Sequence, residues 1–140
     1  MSSQSDSTLV TRPDGCVRLD TGSFWEPRMG YSRAVRAGPL VVVSGCVGIL
    51  ADGTYPPSLE GQTRRCVARI EEALEAFGAS LGQVIKIRIY TTDLDRWEEI
   101  ASVMGPTFED IRPANLLVEV SKLVDGALVE IEAEAWHPGD

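Results

Sequence analysis

Carboxylates in alternation, arginines and a tyrosine on neighbouring segments, three thiols and a single histidine are the side chains here with chemistry to offer a small molecule. The alternating carboxylates sit in the second half of the chain. The run Ile111-Arg112-Pro113-Ala114-Asn115-Leu116-Leu117-Val118-Glu119-Val120 and the run from Leu128 to Ala135 alternate apolar and polar residues. A period of two reads as a strand with one face on a core and the other turned elsewhere. Val84 to Tyr90 repeats the pattern. With Ile85, Ile87, Ile89, Leu116, Val118, Val120, Val129, Ile131, Ala133 and Ala135 towards the core, the opposite face collects Lys86, Arg88, Tyr90, Asn115, Leu117, Glu119, Glu130, Glu132 and Glu134. A carboxylate on such a face can accept a proton or steady a developing cation. A plain polar strand face shows the same alternation, and Arg88 equally suits a cross-strand ion pair with a neighbouring glutamate.

The remaining reactive types lead elsewhere. Cys16, Cys46 and Cys66 are odd in number and far from any CxxC spacing, so they read as free, largely buried thiols. His137 stands alone near a Pro-Gly-Asp end, without the partners that a metal site or a catalytic triad needs. No metal is expected.

Thirteen basic against 21 acidic residues leave a net charge of -8. That balance argues against a nucleic-acid binder, whose phosphate contacts need clustered Lys and Arg. No apolar run approaches the roughly 20 residues of a membrane helix, and Met1 to Thr8 lacks the basic and apolar regions of a signal peptide. A cytoplasmic protein without a membrane partner is the expectation.

The elements that must position these residues follow from periodicity. At 140 residues the chain suits one domain, expected over 15–137 behind a flexible segment over 1–14, which is Ser-rich and aperiodic. Val17 and Leu19 suggest a short strand. Phe24 to Tyr31 reads as an irregular, ring-rich segment covering a cavity or an interface. Gly38-Pro39 marks a hairpin between Ser32–Ala37 and Leu40–Val47, and Leu40 to Val43, apolar on both faces, belongs in the middle of a sheet. Leu59 to Phe77 has helical spacing, with Ser58 placed to cap its start and Gly78 to end it. A second helix through Trp97 and Phe108 has Asp93 or Asp95 as its cap and a kink or early end at Gly105-Pro106. The sum is an α+β sandwich: a mixed sheet of about five to six strands with two helices on one face. Two helices cover only one side, so the other face either meets a second copy of the chain or is solvated.

An ordered set of segments then resembles the reactive-intermediate deaminase family, also called the Rid or YjgF family. It comprises Gly30-Tyr31-Ser32-Arg33-Ala34-Val35, Val43-Ser44-Gly45, Ala73 to Ser80, Tyr90-Thr91-Thr92-Asp93-Leu94, Arg112-Pro113-Ala114, Val118-Glu119-Val120 and Val129 to Ala133. The resemblance runs from about Arg28 to Ala135. It implies a chorismate-mutase-like fold, a homotrimer with ligand clefts at subunit boundaries, and hydrolysis of imines and enamines such as 2-aminoacrylate without metal or organic cofactor.

The resemblance also assigns residues. Tyr31 corresponds to a tyrosine near the cleft, Ser44 to the serine of the Ser-Gly strand end, and Glu130 to the acid that positions or activates water. Where the family carries an arginine after Pro-Ala, this chain has Asn115. An amide cannot copy the charged, bidentate grip of a guanidinium on a carboxylate, and losing such a pair costs about 1.5–3 kcal/mol. Arg33, Arg88 and Arg112 are the candidates to supply the missing cation, Arg88 foremost because it shares the second face. Trp25, Phe24 and Trp97 are expected to wall the cleft or to pack between protomers. Three functions are consistent with these residues: hydrolysis of an imine that needs no carboxylate clamp, non-catalytic binding or regulation by a trimer, and a ribonuclease or translation-inhibitor role. The acidic balance disfavours the third.

Overall fold

The computed structural model describes residues 7–139, in the chain order β1 Thr8–Thr11, β2 Val17–Asp20, α1 Trp25–Met29, β3 Ala34–Ala37, β4 Leu40–Val47, α2 Leu59–Ala76, β5 Val84–Thr91, α3 Trp97–Phe108, β6 Ala114–Glu119 and β7 Val129–Trp136. The strands form one sheet in the order β1-β2-β3-β4-β7-β5-β6. All pairings are antiparallel except β5 with β6. The α+β class with a mixed sheet is as expected, but the strands number seven rather than five or six. The extra one is β1, which pairs Thr8–Thr11 with Val17–Asp20 inside the segment read as a flexible tail. Residues 1–6 of that segment lie outside the described residues.

The apolar run of β4 occupies the middle of the sheet, as its two-sided hydrophobicity demands. Gly38, at φ 58, turns the chain from β3 into β4. The ring-rich segment is not irregular throughout: α1 forms within it and ends at Gly30, which is left-handed. Helix α2 starts where Ser58 accepts a hydrogen bond from the Gly61 N–H at 2.9 Å, and Gly78 follows its end at φ 78. Leu59, Cys66, Ile70, Ala73, Leu74 and Phe77 are all buried, so the apolar stripe faces the sheet.

Helix α3 departs from expectation at both ends. Neither Asp93 nor Asp95 caps it; a 3-10 turn over Leu94–Arg96 leads in, and Asp93 pairs instead with Arg96 at 3.7 Å. Pro106 does not end it, and the helix runs on to Phe108.

Two register details reset the faces of the sheet. A bulge between Val84 and Lys86 leaves Ile85 exposed and puts Val84 in the core beside Ile87 and Ile89. On β6, Asn115 pairs with Ile87 and Leu117 with Ile89, so both lie on the helix side, while Leu116 pairs with Arg88 on the other. The sequence reading had these positions reversed. On β7 the alternation holds: Val129, Ile131, Ala133 and Ala135 are buried and Glu130, Glu132 and Glu134 are half-buried on the opposite face.

This register has a direct check. Ile131→Ala empties a fully buried site and is expected to cost about 2–5 kcal/mol, whereas Ile85→Ala, on the bulge, is expected to cost under about 0.5 kcal/mol. Urea titrations of both variants decide it; equal losses would place Ile85 in the core.

Candidate functional site

The bulge in β4 between Val43 and Cys46 makes the local structure around Glu130. There the glycine of Ser44-Gly45 faces the carboxylate: a Cβ at Gly45 would lie 2.5 Å from Glu130 Oε2. The Gly45 carbonyl accepts a 2.9 Å hydrogen bond from Arg33 Nη2, and the Arg33 guanidinium stands 5.6 Å from the centre of the Tyr31 ring. Ser44 is held on both sides, its N–H donating to the Arg33 carbonyl at 2.9 Å and its hydroxyl to the Ser32 carbonyl at 2.7 Å. Tyr31, Arg33, Ser44 and Glu130 thus form one connected group. Gly45 is the link that sequence reading passed over, since only the close approach of the carboxylate gives the glycine its meaning.

Burial pushes the Glu130 carboxyl above the ordinary carboxylate range, the nearby Arg33 guanidinium opposes that shift, and Glu132 adds to it. Arg33 itself is 7% exposed, and its Nε is a buried nitrogen without a hydrogen-bond partner among the described residues. Further along the same face, Arg88 reaches Glu134 at 3.5 Å and Glu132 at 3.8 Å, and the Tyr90 hydroxyl donates to Glu132 at 3.1 Å. Arg88 is therefore committed to the glutamate row.

Two hollows lie on opposite faces of the sheet, the first beside Tyr31 and Ser44 and the second away from them. One, of about 820 Å³, is lined by Tyr31, Ser44, Val35 and the buried Glu26. Glu26 accepts hydrogen bonds from the Thr21 N–H, at 3.0 Å, and from the Thr21 hydroxyl, which fixes α1 to the end of β2. The other, of about 630 Å³, lies between α3 and the edge strands β5 and β6, and Asn115, Trp97, Met104, Leu117, Glu109 and Arg112 are among its lining residues.

Asn115 and Trp97 are therefore brought together, and Tyr31, Arg33, Ser44 and Glu130 are brought together, on opposite sides of the sheet. Asn115 does not share a face with Arg88 and Glu130, contrary to the alternation argument, because the parallel pairing of β6 shifts it by one position. Trp25 packs edge-on against Phe24 at 5.3 Å. Cys46 and Cys66 are buried free thiols and Cys16 is partly buried. His137 sits against Gln83 at 3.0 Å. Among the described residues no three His, Cys, Asp or Glu side chains cluster as a metal site, and no helix is long and apolar enough to cross a membrane.

Residues 22–137 match the family described as Endoribonuclease L-PSP. A RutC family protein of Pyrococcus horikoshii is 34% identical over 108 residues, 76% of this chain and 86% of that one. Among solved structures, Rv2704 of Mycobacterium tuberculosis, a member of the YjgF/YER057c/UK114 family, is similar with a TM-score of 0.80 at 45% identity, covering 86% of this chain and 98% of that one. TdcF of Escherichia coli with bound serine is similar with a TM-score of 0.73 at 28% identity, covering 76% and 87%.

The raised carboxyl of Glu130 makes a prediction about pH. The folded protein holds this proton more tightly than the unfolded chain, so the group favours folding fully below its ordinary value of 4.5 and loses that contribution as pH rises through the raised one. Glu130→Gln removes the titration. The variant is expected to gain stability relative to the parent as pH is raised from about 4 to about 7; urea midpoints that keep a constant separation across that range would refute it.

Proposed function

The chain belongs to the Endoribonuclease L-PSP family, which takes in the RutC and YjgF/UK114 proteins, and on that premise we propose that it binds a small metabolite in clefts between copies of itself and hydrolyses an imine or enamine. The observation that carries this reading is the half-buried Glu130 carboxylate seated over Gly45 beside Tyr31, Arg33 and Ser44. A carboxylate whose pKa is raised by burial is a better proton acceptor and donor near neutrality than an ordinary one.

In the proposed reaction a protonated imine presents an electrophilic carbon. Water attacks it, the carbon–oxygen bond forms as the C=N electron pair moves onto nitrogen, and Glu130 takes the proton that the water gives up. Glu130 then returns that proton to the amine and takes the hydroxyl proton as the carbon–nitrogen bond breaks, so that ammonia leaves and the carbonyl remains. Arg33 holds the Gly45 carbonyl and so keeps the strand that carries Ser44 in place under the carboxylate.

The site needs a second copy of the chain. The Glu130 group and the Asn115 cavity lie on opposite sides of one sheet, so only a neighbouring subunit brings them to the same ligand. The uncovered face supports such an assembly, since Val42 and Leu116 are both 39% exposed on it among half-buried charged residues. A homotrimer is the proposed form. A similar protein with bound serine supports a small metabolite as the ligand. The neutral Asn115 favours a second reading, a binding or regulatory trimer without turnover. A ribonuclease role is disfavoured by the net charge of -8.

Purified protein incubated with freshly generated 2-aminoacrylate and with bulkier imines, with ammonia release followed, tests the reading. Turnover is expected with at least one imine, and Glu130→Gln is expected to lower kcat by about 10²–10⁴-fold. Gly45→Ala, whose methyl group takes the space of the carboxylate, is expected to lower kcat with little change in thermal midpoint. No turnover on any imine, together with a tight ligand recovered from the protein, would favour the binder, and a monomer by light scattering would remove the cleft.

A further inference from the structure

The cavity that contains Asn115 has an amide at the place where a charged group would grip an acid, yet it is not without a cation. Of the three arginines that qualify from the sequence, two are occupied. Arg33 is buried and donates to the Gly45 carbonyl; Arg88 is on the other face of the sheet, paired with Glu132 and Glu134. Arg112 lines the same cavity as Asn115, is exposed, and makes no ion pair and no side-chain hydrogen bond among the described residues. Glu109, one helical turn earlier, lines the cavity as well.

The backbone at Arg112 is the second observation. Its φ is 56, a left-handed conformation that costs little at glycine and is disfavoured at any residue with a Cβ. The next residue is Pro113, which further restricts the residue before it. Arg112 closes the end of α3 by donating its N–H to the Phe108 carbonyl at 2.8 Å, a position that glycine usually fills. A long cationic side chain is thus held in a strained backbone position at the mouth of a cavity.

We propose that Arg112 is the cation of this cavity and, with the Asn115 amide, determines its specificity for a monocarboxylate with an apolar body. The inference rests on reading the cavity as half of the ligand cleft. The guanidinium and the amide are three residues apart across Pro113 and both line the space, so they offer donors to one carboxylate. Apart from Glu109, the rest of the wall is largely apolar, with Trp97, Ile100, Met104 and Leu117, and at about 630 Å³ the space is larger than a two- or three-carbon acid fills. An alkyl or aryl body against that wall removes apolar surface from water while the head group stays at the rim with Arg112.

Calorimetric titration of the intact protein with octanoate, acetate and 1-octanol tests the proposal, with the indole N–H signal of Trp97 reporting the place of binding. Octanoate is expected to bind well above acetate and 1-octanol and to shift the Trp97 signal. Arg112→Gly is expected to weaken octanoate at least about tenfold, to leave 1-octanol within about twofold, and to keep or raise the thermal midpoint because glycine suits the left-handed position. A purely structural Arg112 would show the reverse, a lower midpoint with octanoate affinity intact. Octanoate bound no better than 1-octanol, no binding at all, or equal octanoate affinity in Arg112→Gly overturns the proposal. These outcomes are separable from the imine chemistry, since binding needs no turnover: octanoate discrimination without ammonia release would sink the hydrolase reading alone.

Discussion

The structure depends on β7 being paired on both sides at once. With β4 on one edge and β5 on the other, its Val129, Ile131, Ala133 and Ala135 are driven fully into the core under α2, between 0% and 1% exposed. Strict alternation then leaves Glu130, Glu132 and Glu134 no choice but the other face. The carboxylates there are not solvated at will, because neighbouring strands crowd them. Arg88 and the Tyr90 hydroxyl attend Glu132, and Arg88 also reaches Glu134. Glu130 has Gly45 beneath it and no ion pair among the described residues. One strand thus supplies the centre of the core and a row of three acids in which a single member differs from the others.

An irregularity in one neighbouring strand makes that difference. The bulge in β4 falls at Ser44-Gly45, opposite the stretch of β7 between Ile131 and Ala133, and Gly45 leaves room for the Glu130 carboxylate where a side chain would clash. The bulge in β5 falls near the end of β7, at Ile85, away from Glu130. Arg33 is buried beside the first bulge, and its guanidinium ties the Gly45 carbonyl to the segment that bears Tyr31. Helix and sheet packing therefore does more than cover apolar surface: it sets an acid, Glu130, whose burial raises its proton affinity.

The edge strand β6 is governed by a different rule. It is parallel to β5, and in that pairing Asn115 falls opposite Ile87 rather than Arg88. Its polar residue consequently joins Trp97 and Met104 in a hollow on the helix side, at the margin of the sheet. A largely apolar hollow lined also by Asn115 and Arg112, and the Glu130 carboxylate, thus lie on opposite faces of one sheet.

Much of this was present in the sequence by itself. Local periodicity determines α2 from Ser58 to Gly78, the hairpin at Gly38-Pro39, the central place of Leu40 to Val43 and the two faces of β7, because each is a matter of side-chain spacing within a few turns or residues. The ordered segments around Tyr31, Ser44 and Glu130 determine the family. What spacing cannot carry is register. A strand such as β6, apolar at Leu116, Leu117 and Val118 alike, fits either face, and only its pairing with β5 decided that Asn115 and Leu117 look towards α3. In the same way β1 has too little apolar pattern to declare itself and exists as a partner of β2. The bulges at Ser44-Gly45 and Ile85, and the left-handed backbone of Arg112, were likewise decided by tertiary structure, since one extra residue in a ladder or one turned peptide is set by the strands and helix around it and leaves no periodic trace in the chain.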